Sequence, residues 1–224
     1  MSPGGALAQA LDLVRDGMTL GLGTGRAASA FVRALGERIR EGLRVRGIAT
    51  SESTARLAVE VGIPLVDLAD AETIDLTVDG ADEVDPKLDL IKGYGGALLR
   101  EKVVASASRR VVILVGPEKL VSVLGERGKL PVEVVPFALP YCRRRFAQMG
   151  YACEPRLEAG DLFRTDNGNC ILDCSVGPLP EPGRVDAEFR AVPGVVATGL
   201  FVGLADLVIV GEGDAFEVRR RENP

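Results

Sequence analysis

Between Leu76 and Lys102 the chain reads LTVDGADEVDPKLDLIKGYGGALLREK and gathers five groups able to do chemistry. Asp79 and Asp82 flank Gly80 and Ala81, just past an apolar strand pattern of Ile74, Leu76 and Val78. Lys92 closes the next apolar run, Leu88 to Ile91. Gly93, Gly95 and Gly96 then open a helix that carries Glu101. Two carboxylates, an ammonium, a glycine-rich turn and a third carboxylate suit proton transfer between the oxygens and carbons of a polyhydroxy substrate. The chain contains no histidine. Ser-His-Asp and Cys-His hydrolase chemistry is therefore excluded, as is any imidazole base. Acid–base work falls to carboxylates, Lys, Tyr or Cys.

A second glycine turn, Gly23-Thr24-Gly25-Arg26-Ala27-Ala28, follows the short apolar stretch from Met18. Its glycines let backbone N–H groups approach an anion, and the helix that follows adds the positive end of its dipole. Thr24 supplies a hydroxyl donor and Arg26 a forked cation, so the expected ligand is a phosphate. The same residues match G-x-G-x-x-A, the dinucleotide fingerprint, only weakly. That fingerprint wants an acidic residue at the end of the second strand to hold a ribose. Here the strand ends Ile48-Ala49-Thr50-Ser51, with hydroxyls in its place, and nicotinamide-cofactor binding is disfavoured.

These turns need a sheet to hold them. Periodicity predicts a helix over 6–16, a strand over 18–23, a helix over 26–40 and a strand over 43–49. Thr50 to Ser53 supply caps for a helix over 53–61. Strands over 63–68, 74–78 and 88–91, a helix over 97–107 and a β-branched strand over 110–115 continue the alternation. Such alternation implies an α/β fold, a mostly parallel sheet with helices on both faces and its site at the carboxyl ends of the strands.

Character changes near Lys129. A strand over 132–135, a helix over 139–149 and a hairpin turning at Asp166-Asn167-Gly168-Asn169, with strands over 162–165 and 170–176, make a smaller α+β lobe. Strands over 207–210 and 216–218 rejoin the main sheet. The expected division puts residues 1–129 and 194–224 in the catalytic domain and 130–193 in the inserted lobe.

Of the 224 residues, 46% are hydrophobic and 26% charged, and the net charge is −5. That balance fits a soluble globular protein and argues against affinity for nucleic acid or anionic membranes. Arg143, Arg144 and Arg145 would spread around a helix rather than form a patch, so a solvated helix face is expected. The four cysteines, Cys142, Cys153, Cys170 and Cys174, form no C-x-x-C pair, and without histidine a zinc site is disfavoured. They are expected to be buried structural thiols in a reducing, cytoplasmic setting. Residues 1–17 lack the pattern of a signal peptide.

Gly21 to Gly25, Thr50-Ser51, Asp79-Gly80-Ala81-Asp82-Glu83, Lys92 to Lys102 (KGYGGALLREK) and Leu130 to Val134 together resemble ribose-5-phosphate isomerase of the A type. Thr165 to Asn169 and Pro193 to Val196, with Gly199 to Phe201, also look like that family. The resemblance implies a Rossmann-like domain with a smaller, ferredoxin-like α+β lobe, assembled as a homodimer or homotetramer. It implies interconversion of D-ribose 5-phosphate and D-ribulose 5-phosphate, a step of the pentose phosphate pathway, through an enediol(ate) and with no metal or cofactor. Glu101 would move the proton between C1 and C2. Asp79 and Asp82 would manage ring opening and the hydroxyl protons, and Lys92 with the glycine-loop amides would stabilise the oxyanion. Gly23, Thr24, Gly25, Arg26, Ala27, Gly80, Ala81, Gly93, Gly95, Gly96 and Lys119 would bind the phosphosugar.

Elementary electrostatics agrees with those roles. Repulsion between Asp79 and Asp82 should raise one of their pKa values and keep a proton available, while Lys92 favours an enediolate. Leu98 and Leu99 should partly shield Glu101 and tune its basicity.

The chain departs from the family pattern in three places. Arg26 and Ala27 stand where the family continues Gly-Ser-Thr, and no lysine precedes Lys87. Arg26 is expected to replace the missing hydroxyls and lysine. Tyr94 interrupts the glycine run, where a positive φ would be uncomfortable. A sugar-phosphate sensor on the same fold would need a DNA-binding segment, and none is evident. A related amino-sugar phosphate deaminase would need a histidine.

Overall fold

The computed structural model describes residues 5–221. They form two compact units, one drawn from residues 5–81, 100–120 and 203–221, the other from 82–99 and 121–202.

The first unit is built on a six-stranded sheet in the order Ala215–Arg220, Leu207–Glu212, Val111–Val115, Leu76–Asp79, Thr19–Leu22, Arg46–Ala49. Its neighbours pair in parallel, except that Ala215–Arg220 closes one edge antiparallel. Alternate residues of each strand serve opposite faces. Leu20 and Leu22 join Phe31, Val32 and Leu35 of helix Arg26–Arg40 in the main core. Gly21, between them, faces Val104 of helix Leu98–Ser106, so close that a Cβ would lie 2.6 Å from the valine. Helices thus cover both faces, and strands Leu76–Asp79 and Val111–Val115 are buried at every position. The strand order reverses between Thr19–Leu22 and Leu76–Asp79, which opens a crevice at their carboxyl ends. The mostly parallel α/β architecture is the one expected.

The second unit holds a four-stranded antiparallel sheet in the order Val195–Thr198, Lys129–Val134, Cys170–Ser175, Ala152–Pro155. Helices Leu139–Gln148 and Pro182–Arg190 bury Phe146 and Phe189 against it, with the two rings stacked 4.5 Å apart. Each such fully buried aromatic contributes about 1.5–3 kcal/mol. A separate three-stranded sheet joins Leu200–Phe201, Leu90–Ile91 and Glu83–Val84.

Several local expectations need correction. No strand forms over 63–68; a single bridge joins Gly47 to Leu65, and a 3-10 turn follows at Leu68–Asp70. Pro64 has no N–H to extend a ladder. The strand predicted over 88–91 shrinks to Leu90–Ile91, because Leu88 (φ 61°) belongs to a turn in which Asp85 Oδ1 accepts from the amides of Lys87 and Asp89. The turn at Asp166–Asn169 forms, with Gly168 N donating to Thr165 O at 2.8 Å, but its flanks do not pair as a hairpin. Cys170–Ser175 already has Lys129–Val134 on one side and Ala152–Pro155 on the other. Cys153 and Cys174 face each other across that second pairing and are disulfide-bonded, while Cys142 and Cys170 are the buried thiols expected of all four. Among the described residues no helix is long and apolar enough to cross a membrane.

Candidate active site

In the first unit the ends of two neighbouring strands are tied together. Gly23 N donates to Val78 O at 3.0 Å, continuing the ladder one step past Leu22. Asp79, the last residue of its strand, is buried and accepts from Thr24 N at 3.1 Å and Gly80 N at 2.7 Å on the same Oδ1. Only glycine fits at position 23, since a Cβ there would lie 2.6 Å from the Asp79 Cα. Gly23→Ala must therefore move Asp79 itself. The variant is expected to lose about 1–3 kcal/mol of stability, as overpacked sites do, together with most of its turnover; thermal melts and steady-state kinetics check both.

The Thr24 hydroxyl is the centre of a polar cluster. Its Oγ1 lies 2.8 Å from both Thr50 Oγ1 and Ser51 Oγ, and 3.1 Å from Thr54 Oγ1. Thr50 and Thr54 return bonds to the carbonyls of Leu22 and Gly23 at 2.9 Å, and Ser51 caps helix Glu52–Glu60 through Thr54 N. The glycine turn is thereby fastened from below, leaving Gly25 and Arg26 exposed and Ala27 half-buried at the start of their helix. Glu101 lies in the first turn of helix Leu98–Ser106, only 5% exposed. Lys119 ends a short 3-10 helix, Pro117–Lys119, and is half-buried.

The second unit assembles the remaining groups. In its antiparallel pairing Glu83 faces Ile91 and Val84 faces Leu90, so the next step of the register sets Asp82 opposite Lys92. Directly opposed residues hold their Cβ atoms about 5 Å apart and direct their side chains to the same face. Asp82 N donates to Ile91 O at 2.8 Å, and Lys92 N to Gly199 O at 2.9 Å. Lys92 is 3% exposed, and its ammonium lies 5.6 Å from the centre of the Phe201 ring, within cation–π range. Asp82 Oδ2 accepts from Tyr94 N at 3.0 Å.

The loop beyond is shaped by two glycines with positive φ, Gly93 (105°) and Gly96 (89°); Phe163 packs where a Cβ on Gly96 would sit. Tyr94 between them keeps a negative φ, so the strain foreseen for it does not arise. Its hydroxyl donates to Lys129 O at 3.3 Å, and burial, with the nearby Glu83 and Asp82 charges, pushes its pKa up to about 12. It is no acid or base near neutrality.

Two contributors were not legible as such in the sequence. Glu83 is fully buried beside Asp82 and accepts from Gly125 N at 2.6 Å and Arg127 N at 3.1 Å; burial raises its carboxyl despite those bonds. It anchors the loop at Gly125 and Arg127 to the strand Glu83–Val84, which Asp82 immediately precedes. Its place in the acidic run was the only signal. Arg156 donates to the carbonyls of Gly93 and Tyr94, and nothing in its sequence neighbourhood marks it. Among the described residues no group of three or more Cys, Asp or Glu is placed to hold a metal ion. The first unit thus carries two buried carboxylates with hydroxyls and backbone amides, and the second a carboxylate, an ammonium and backbone amides, kinds of group suited to moving protons and stabilising an oxyanion.

Comparison with known proteins agrees with this chemistry. The family model for ribose 5-phosphate isomerase A (phosphoriboisomerase A) matches residues 46–215. Ribose-5-phosphate isomerase A of Gloeobacter violaceus is 51% identical over 214 residues, covering 95% of this chain and 93% of its own. The structure of ribose 5-phosphate isomerase A from Methanocaldococcus jannaschii superposes with a TM-score of 0.92 at 40% identity, over 96% of both chains. A D-ribose-5-phosphate isomerase in complex with phospho-erythronic acid superposes with a TM-score of 0.93 at 36% identity, again over 96% of both. With its strand order, its glycine turns and its acidic hairpin all in place, the chain belongs to the ribose 5-phosphate isomerase A family.

Proposed function

We propose that the chain interconverts D-ribose 5-phosphate and D-ribulose 5-phosphate, an aldose–ketose isomerisation of the pentose phosphate pathway. The observation that carries this is the burial of Asp79, Lys92 and Glu101, at 3%, 3% and 5% exposure, in a chain without histidine. Ionisable groups held that deep are costly, and sites of proton transfer are one place where proteins keep them. Family membership supplies the substrate class, as does the phosphorylated sugar acid bound by one structural relative.

The proposed sequence uses only this chain's own groups. Asp79 and Asp82 exchange protons with the ring oxygen and the anomeric hydroxyl, which opens the sugar. The Glu101 carboxylate then takes the proton from C2, and the electron pair moves into a C1–C2 double bond as charge builds on O1. Lys92 and the Gly95 amide of the Gly93–Gly96 loop stabilise that oxyanion. Protons shift between O2 and O1 through the aspartates, and Glu101 returns its proton to C1. The Gly23–Ala27 turn and Lys119 hold the phosphate. Purified protein should convert ribose 5-phosphate to ribulose 5-phosphate in buffer free of metal and nucleotide; no conversion would overturn this assignment.

Arg26 takes the place of two hydroxyls and a lysine that other family members direct at the phosphate. Its exposed guanidinium heads the helix beside the glycine turn. A charge-assisted phosphate contact contributes about 1.5–3 kcal/mol, so Arg26→Ala should raise KM about tenfold or more with kcat little changed. A KM within about twofold of the parent would remove Arg26 from the cradle.

Assembly as a homodimer or homotetramer goes with the same family. The second unit offers an apolar surface suited to a second copy, where Phe137 is 98% exposed beside Val135 and Tyr141. A cytoplasmic setting also follows from this function, because charged sugar phosphates do not cross lipid bilayers unaided.

A further inference from the structure

Arg156 follows strand Ala152–Pro155, more than sixty positions downstream of the glycine loop it touches. Its Nη1 donates to Gly93 O at 2.9 Å and to Tyr94 O at 3.0 Å. Its other face makes a two-pronged pair with Asp173, Nε to Oδ2 at 3.0 Å and Nη2 to Oδ1 at 2.5 Å. Lys129 Nζ shares that carboxylate at 2.8 Å. Burial pushes the Asp173 carboxyl up, but the hydrogen bonds from Arg156 and Lys129 outweigh it and hold the group below the usual carboxylate range. The pair is largely shielded, with side chains 11% and 18% exposed, and the guanidinium lies 5.7 Å from the ring of Phe163, which in turn packs against Gly96. This cation is fixed on every side and aimed at two consecutive carbonyls.

In a trans peptide the carbonyl and the following N–H point in opposite directions. The Gly93 carbonyl also accepts from Gly96 N at 3.0 Å, and the guanidinium together with that turn bond sets the direction of the Tyr94 N–H, which points at Asp82 Oδ2. Holding the Tyr94 carbonyl likewise turns the Gly95 N–H away from Arg156, at a residue that is exposed and has open space where a Cβ would be. Successive amides on one side of a loop form a concavity that accepts anions. Positive charge at the carbonyl end also polarises each peptide and strengthens its N–H as a donor.

We propose that Arg156 is a positioning residue for the isomerisation. It sets the Gly93–Gly96 loop so that the Tyr94 amide orients the Asp82 carboxylate and the Gly95 amide meets the developing oxyanion. Asp173 and Lys129 hold the guanidinium in place. The proposal rests on the isomerase assignment made above. It adds a remote cation that touches no substrate and acts through two peptide groups.

The test compares full-length Arg156→Gln and Arg156→Lys with Arg143→Ala, which removes the exposed ion pair to Glu154 on the same unit. Arg156→Gln should lower kcat for ribose 5-phosphate about 10- to 100-fold while KM stays within about threefold, because the phosphate contacts are untouched. Amide hydrogen exchange at Tyr94, followed by NMR, should quicken about tenfold or more as its carboxylate partner loosens. Arg156→Lys should fall between parent and glutamine variant, since an ammonium cannot fork to two carbonyls and a carboxylate. Arg143→Ala should change neither readout. A folded Arg156→Gln protein with kcat within about twofold of the parent, or with Tyr94 exchange unchanged, would overturn the proposal. If the glutamine variant does not fold, the lysine variant carries the same two measurements. If the parent fails to isomerise ribose 5-phosphate, the isomerase assignment falls, and Tyr94 exchange alone decides whether Arg156 sets the loop.

Discussion

Glu101→Gln is expected to lower kcat for ribose 5-phosphate by about 10³-fold, within the 10²–10⁴ that a well-placed general base contributes. The substitution keeps the shape and hydrogen-bonding reach of a side chain only 5% exposed, so the helix Leu98–Ser106 should be undisturbed. What is lost is the lone pair basic enough to take a proton from carbon. KM should move little, because binding rests on the phosphate turn and the hydroxyl contacts. Steady-state kinetics with a thermal melt separate these outcomes, and a rate within tenfold of the parent would reassign the base.

Lys92→Met should cost about 10²–10³ in kcat, the range found when one preorganised oxyanion donor is removed. Methionine replaces most of the aliphatic stem and can still pack on Phe201, whose ring now lies 5.6 Å from the ammonium. Removing a single buried charge normally unbalances its partners. Here Asp82 retains the amide of Tyr94 and lies only half-buried, so the fold should survive. A drop in kcat with an unchanged melting temperature would place the ammonium in the transition state. A loss of stability with normal turnover of the folded fraction would assign it to structure alone.

Much of this site was legible because it is contiguous. Asp79, Asp82, Lys92 and Glu101 fall within one stretch of 23 residues whose apolar runs and glycines announce strands and turns, although the strand ends shifted by up to two residues. The parallel order was legible too, since runs such as Val111–Val115 are apolar throughout rather than alternating. What escaped depends on long-range pairing. That Asp82 faces Lys92 follows only from the register of Glu83 with Ile91. Arg156 reaches Gly93 across 63 positions, and Cys153 meets Cys174 because two strands happen to align there. The apolar run over 63–68 misled because Pro64 cannot extend a ladder, and only Leu65 bridges to a neighbouring strand. The hydroxyl run Thr50 to Thr54 read as a helix cap, which Ser51 is, but its larger part fastens the first glycine turn.

The two rims of the six-stranded sheet bear on how the protein behaves when crowded. An uncovered strand rim templates growth by other chains, the first step towards fibres. On one side Ala215–Arg220 ends in Arg219 and Arg220 and also carries Glu217, charges that repel an incoming strand. On the other, the short strand Arg46–Ala49 has its outer groups engaged at Gly47, which accepts from Val66 and donates to Pro64. Neither rim invites a foreign strand, so the six-stranded sheet should not seed growth by strands of other chains.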